Sequence, residues 1–136
     1  MSKFSIRLSD KISPAPIKLF KLVTNKTCQI DDFEARICRE GGLDREVDKI
    51  YAVLDKVCNL KMLPKTMFRL IQLRDLPYQL YEAKSANLRF YLIKLEKTGK
   101  VILLGGRKSN QKADLKSLVK LVKNIHFEGI SNINNP

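Results

Sequence analysis

Residues 88–112, LRFYLIKLEKTGKVILLGGRKSNQK, decide the fold. Leu88, Phe90 and Leu92 alternate with Arg89, Tyr91 and Ile93, the period of two expected of a strand that turns one face to a core and the other outward. Glu96 to Lys100 then makes a turn. Val101 to Leu104 is a short apolar run whose length and branching suit a central strand better than a helix. Gly105-Gly106 ends that strand, and Arg107, Lys108 and Lys112 follow at once. A strand carrying Arg89 is thereby set beside a corner carrying three further cations, and such a cluster requires a polyanion.

The rest of the chain supplies layers for this pair of strands. Phe4, Ile6 and Leu8 alternate with polar neighbours, predicting a strand over residues 3–9. Pro14 and Pro16 interrupt it, and Pro16 to Thr24 is predicted as a short helix presenting Leu19, Phe20 and Val23. Asp31 with Glu34 three residues later reads as a capping box opening a helix to Arg39, stopped by Gly41-Gly42. Asp44 is predicted to cap a second helix, since Val47, Ile50, Tyr51, Leu54, Val57 and Cys58 recur along one face. After Pro64, residues 68–73 and 78–83 read as strands separated by a turn at Asp75 to Pro77. Ser85 to Asn87 turns the chain into the Leu88 strand, giving an antiparallel meander. Leu115, Leu118, Val119, Val122 and Ile125 mark a final amphipathic helix, with Lys108, Lys112, Lys116 and Lys120 at four-residue steps along its other edge. From Phe127 the asparagine-rich tail is expected to fray. The pattern predicts one α+β domain over residues 1–136.

Charge narrows the partner. The chain carries 26 Lys and Arg against 14 Asp and Glu, a net +12, which favours nucleic acid, anionic membrane or an acidic protein. Residues 1–60 hold 11 basic and 9 acidic side chains, whereas residues 61–136 hold 15 and 5. The basic surface therefore belongs to the C-terminal half. Cys28, Cys38 and Cys58 are odd in number and show no C-x-x-C spacing, so reduced thiols in a cytoplasmic protein are expected, with neither a disulfide framework nor a metal cluster. No apolar run reaches membrane-span length and no apolar signal core opens the chain. The single histidine and the scattered acids give no metallohydrolase or Ser–His–Asp pattern.

From Pro64 to Ile125 the chain resembles the RelE/HigB-like toxins of bacterial toxin–antitoxin systems. The resemblance lies in Phe68 to Leu73, Tyr81-Glu82-Ala83-Lys84, Leu88-Arg89-Phe90-Tyr91, the run from Gly99 to Lys108, and Gln111-Lys112-Ala113-Asp114. It covers slightly under half of the chain, and residues 1–60 carry no matching motif. It implies a RelE-like fold, a small twisted antiparallel sheet of three to five strands with N-terminal helices packed on it and one C-terminal helix. It also implies a messenger-RNA endonuclease that acts on the ribosome without metal or cofactor, by attack of a ribose 2′-hydroxyl on the neighbouring phosphate. On this likeness Arg89 and Arg107 hold the phosphate, and Lys84, Lys108 or Lys112 moves protons. Lys116, Lys120 and Tyr91 bind nucleic acid. No tyrosine follows Tyr91, and His126, at the end of the last helix, is a candidate acid. An antitoxin with an acidic binding segment is the implied protein partner.

Ordinary explanations stand beside these. A lysine stripe is what many solvated helix faces carry, strand tyrosines usually pack, and Glu82 on the neighbouring strand is a ready cross-strand partner for Arg89. A non-catalytic RNA- or protein-binding module on the same fold is the alternative function. A membrane-surface role lacks the bulky aromatic insertion face it would need.

Overall fold

The computed structural model describes residues 2–95 and 99–131. In chain order the elements are strands β1 (Phe4–Leu8) and β2 (Lys18–Thr24), helices α1 (Gln29–Glu40) and α2 (Asp44–Cys58), strands β3 (Phe68–Ile71), β4 (Leu80–Lys84), β5 (Leu88–Leu95) and β6 (Gly99–Arg107), a 3-10 turn at Lys108–Asn110, and helix α3 (Gln111–Glu128). The six strands make one sheet in the order β1-β2-β6-β5-β4-β3. The meander β3 to β6 is antiparallel throughout, as the alternation predicts. The N-terminal hairpin then joins its far side, β2 running parallel to β6 with Phe20 opposite Val101. An α+β architecture is therefore present, but the sheet is six-stranded and mixed, larger than the antiparallel sheet of three to five strands expected.

Helices cover both faces of the sheet. On one face Ile30, Phe33, Ile37, Ile50 and Leu54 of α1 and α2 bury against Leu88, Phe90 and Leu92. On the other, Leu118, Val122 and Ile125 of α3 bury against Tyr91, Ile93, Val101 and Leu103, with Phe4 and Phe20 completing the core. Each face of β5 thus serves a separate core. The chain's densest apolar strands sit in the middle of the sheet for that reason.

Four local expectations are corrected. Pro16 to Thr24 holds strand β2 and no helix: Leu19 faces the α1–α2 core while Phe20 and Leu22 face the α3 core. A strand buried on both sides loses its polar alternation, and its apolar spacing then imitates a helical one. Helix α1 begins two residues before Asp31, with no side-chain cap. Asp31 is engaged by Lys21 at 2.7 Å and by Arg7, and Glu34 accepts a hydrogen bond from the Tyr51 hydroxyl. Asp44 is the first residue of α2 and likewise makes no capping bond. The tail does not fray at Phe127, because α3 runs to Glu128 and the Ser131 amide donates to Phe4 O at 2.8 Å. Residues 132–136 lie outside the described residues, as do residues 96–98 of the expected turn; Gly99 and Lys100 already belong to β6.

The two glycines of β6 are interior to the strand, not a corner that ends it. A Cβ on Gly105 would lie 2.7 Å from the Phe33 ring and 2.8 Å from Ile30, and a Cβ on Gly106 would lie 2.0 Å from Asp114 Oδ2. Each glycine admits a helix to one face of the same strand. Substitution of Gly105 by alanine should cost about 1–3 kcal/mol in urea unfolding, since Phe33 and Ile30 must move within a packed core. Gly106→Ala should cost less, because the Asp114 carboxylate can swing outward. The double variant with Asp114→Ala should recover most of that smaller loss, and additive losses would refute this packing.

Candidate nucleic-acid interface

Of the cations singled out in the sequence, Lys84, Arg89 and Lys108 lie at the β4–β5 turn, and α2 builds that turn. Glu46 accepts hydrogen bonds from the Ser85 hydroxyl, from the Asn87 amide at 2.7 Å and from the Asn87 side chain at 2.7 Å. Ser85 Oγ in turn accepts from the Leu88 amide at 3.1 Å. Burial alone would raise the Glu46 carboxyl, but the Ser85 and Asn87 bonds outweigh it and hold the group below its ordinary range. The Lys108 amide donates to Asn87 O at 2.8 Å, which brings the 3-10 turn and the start of α3 to the same end of the sheet.

The register then places the side chains. Lys84 lies directly opposite Arg89, and Arg89 lies opposite Gly106. Both cations share the α3 side of the sheet with Tyr91, Glu82 and Arg69, by the alternation of β3, β4 and β5. Arg89 is buried, and its Nη1 donates to Ser85 O at 2.7 Å and Leu88 O at 2.8 Å. Glu82 is wholly buried beneath it. Its carboxylate accepts from Gln111 Nε2 at 2.6 Å and from Arg69, and stands 3.9 Å from Arg89 Nε. The cross-strand partner offered by the sequence is therefore the one Arg89 has, set diagonally. Glu82 is an anchor for two arginines, sealed from solvent.

Not every expected residue joins this group. Arg107 lies opposite Leu88 on the other side of the sheet and pairs with Glu40 at the end of α1. It cannot grip one phosphate together with Arg89, because the strand's alternation sends the two guanidinium groups to opposite faces. Tyr91 has no exposed surface and cannot stack on a base. Burial pushes its phenol up from the ordinary tyrosine range, with Asp114 and Glu82 adding to the effect. His126 packs edge-on against Tyr78 at 5.9 Å. It lies fifteen residues along α3 from Gln111, about 22 Å at the helical rise per residue. Lys108, Lys112, Lys116 and Lys120 are all exposed, and none has a carboxylate within salt-bridge distance among the described residues.

The sequence reading missed Glu46, Arg69, Gln111 and Asp114 as parts of this site. Parity along the meander was the available signal for Arg69, since it shares a face with Glu82 once the register is known. Nothing local marks Glu46, which reaches the turn from a helix some forty residues upstream. Among the described residues Arg89 Nε, Tyr91 OH and Asp114 Oδ2 are buried without hydrogen-bond partners, and each such atom calls for an explanation in strain, function or bound solvent. Among the described residues no three His, Cys, Asp or Glu side chains gather as a metal ion would require.

Because the folded Glu46 carboxyl is held below its unfolded value of about 4.3, its bonds stabilise the protein above that pH and are lost as pH falls through the folded value. Glu46→Gln should therefore flatten part of the acid limb of a stability–pH curve and lower stability at pH 7 by about 1–3 kcal/mol. An unchanged acid limb would show that Glu46 does not clamp the turn.

No family model matches this chain, and neither the curated proteins nor the solved structures contain a match to it.

Proposed function

We propose that this chain is the toxin of a toxin–antitoxin pair, a metal-independent endoribonuclease that cuts messenger RNA on the ribosome. The observation that carries this reading is the pair Lys84–Arg89, two cations held directly opposite each other at one end of the sheet. Like charges in that position destabilise a sheet, and of the two only Arg89 has Glu82 within salt-bridge distance among the described residues. A phosphate bound over Lys84 supplies the missing negative charge.

In the proposed reaction a ribose 2′-oxygen attacks the adjacent phosphorus as the bond to the 5′-oxygen of the next nucleotide breaks. The products are a 2′,3′-cyclic phosphate and a 5′-hydroxyl. Negative charge builds on the non-bridging oxygens, and Arg89, preorganised by Ser85 O, Leu88 O and Glu82, is suited to stabilise it. In this reading Lys84, opposite Arg89, with Lys108 and Lys112, serves the proton transfers, and Lys116 and Lys120 extend the cationic track for the RNA backbone. Arg107 has no part in this scheme. The partner protein is an antitoxin whose acidic segment neutralises the same surface.

The second reading is a non-catalytic RNA- or protein-binding module, favoured by the loss of Arg107 to Glu40 and by the burial of Tyr91. Purified protein incubated with a defined messenger RNA on stalled ribosomes, in excess chelator, separates the two. Discrete cuts are expected, reduced about 10²-fold or more by Lys84→Ala with the melting temperature little changed. Retained RNA binding without any cut would establish the binding module. Lys112→Ala and Lys116→Ala should each lower the slope of log affinity against log salt by about 0.7–0.9; an unchanged slope would remove the lysine track from the interface.

A further inference from the structure

The two edges of the sheet differ. At β1 the chain covers its own edge: Ser131 bridges Ser5 in parallel, its amide donating to Phe4 O at 2.8 Å. At the other end β3 is the outermost strand, with β4 on one side and, among the described residues, no strand on the other. The Lys84 amide donates to Met67 O at 2.8 Å, so the ladder to β4 uses the backbone of Met67, Arg69 and Ile71, and the amide and carbonyl of Leu70 point away from the sheet. Edges are commonly protected by charge, brevity or a covering segment. β3 is short, but it also exposes apolar surface: Met67, Leu70 and Leu73 are 42%, 36% and 40% exposed. Beside them a groove of about 250 Å³ is lined by Leu70, Leu73, Leu76 and Tyr78.

Its two faces differ in chemistry. Arg69 stands on the α3 side, while Leu70 stands on the α1–α2 side beside Tyr81. Lys65 and Arg74, both exposed, flank the strand. An added strand lays its own alternate side chains over these two faces. The segment that fits is extended and alternates apolar with acidic residues, the acids over Arg69 and the apolar residues over Leu70. A second copy of this chain fits poorly, since each copy carries +12. We propose that the β3 edge is a docking strand for an extended segment of a partner protein in which acidic and apolar residues alternate, adding to the sheet as a seventh strand. The surface is a strand edge, requires no catalytic activity, and stands whether or not the chain cleaves RNA.

The test uses the full chain, isotope-labelled, and an acetylated decapeptide of alternating Glu and Val, with a Lys and Val peptide as its counterpart. Amide resonances of Met67 to Leu73 are expected to shift with the acidic peptide alone, and solvent exchange of the Leu70 amide should slow about tenfold or more as a new hydrogen bond forms. Leu70→Pro removes the outward donor while sparing the ladder to β4, and should weaken binding at least about tenfold. Leu73→Asp, which lies outside the strand, should weaken it as well, so a folding defect in the proline variant does not decide the matter. Three outcomes would overturn the proposal. The peptide could shift only the Lys112 to Lys120 resonances, both peptides could bind β3 equally, or sedimentation could show a dimer that Leu70→Pro dissociates, making a second copy the occupant.

Discussion

A single buried carboxylate ties the basic end of this molecule together. Glu82, without exposed surface, is reached by Arg69 from β3, by Arg89 from β5 and by Gln111 from the first turn of α3. Removing an acid from water is costly, and its ion pairs repay this only with good geometry and added hydrogen bonds. Here the return is positional more than energetic. Two arginines and a helix start are referred to one point, so the orientation of Arg89 is coupled to the seating of α3. Loss of Glu82 would leave Arg89 buried beside Lys84 with two backbone carbonyls as its compensation.

Packing imposes the second constraint. Six strands covered on both faces require a middle strand that tolerates close approach from above and below, and β6 meets this with Gly105 under α1 and Gly106 under Asp114 of α3. The same strand changes register against β5 between Tyr91 and Leu92. A bulge of this kind re-aims side chains, and both Leu103 and Leu104 of β6 pack with the α3 core. Helix α3 can therefore lie across the sheet from the Glu82 cluster to the edge of β1, where Ser131 ends the described path.

How much of this the sequence disclosed depends on range. Period two along Leu88 to Ile93 identified β5 and both of its faces, and the three- and four-residue steps of Val47 to Cys58 identified α2, because each signal is local. β2 was misread because burial on both sides erased its alternation. Its parallel pairing with β6 joins residues about eighty positions apart, and no local pattern encodes such a contact. Gly105-Gly106 looked like a corner since the clashes it avoids come from helices elsewhere in the chain. Among the cations, Lys84 and Arg89 were legible as neighbours of one turn. Arg107 was misplaced for a simple reason: the true length of β6 carries the strand's alternation one step further and turns that side chain to Glu40.

The distribution of charge follows from the same layering. The acids concentrated in the first sixty residues fall largely on α1 and α2, where Asp31, Glu34, Asp44 and Asp48 line one cleft. The exposed lysines of α3 lie across the sheet from them. A net +12 spread evenly would attract a polyanion from any direction, but residues 61–136 carry +10 of it while α1 and α2 hold eight acids against five bases, and that asymmetry favours one direction of approach. A polyanion of that kind would meet α3 and the β4–β5 turn before the α1–α2 face. The charge asymmetry thus arises from the layering itself: the helices that build the first core bring most of the acids with them, and the helix that closes the second brings lysines.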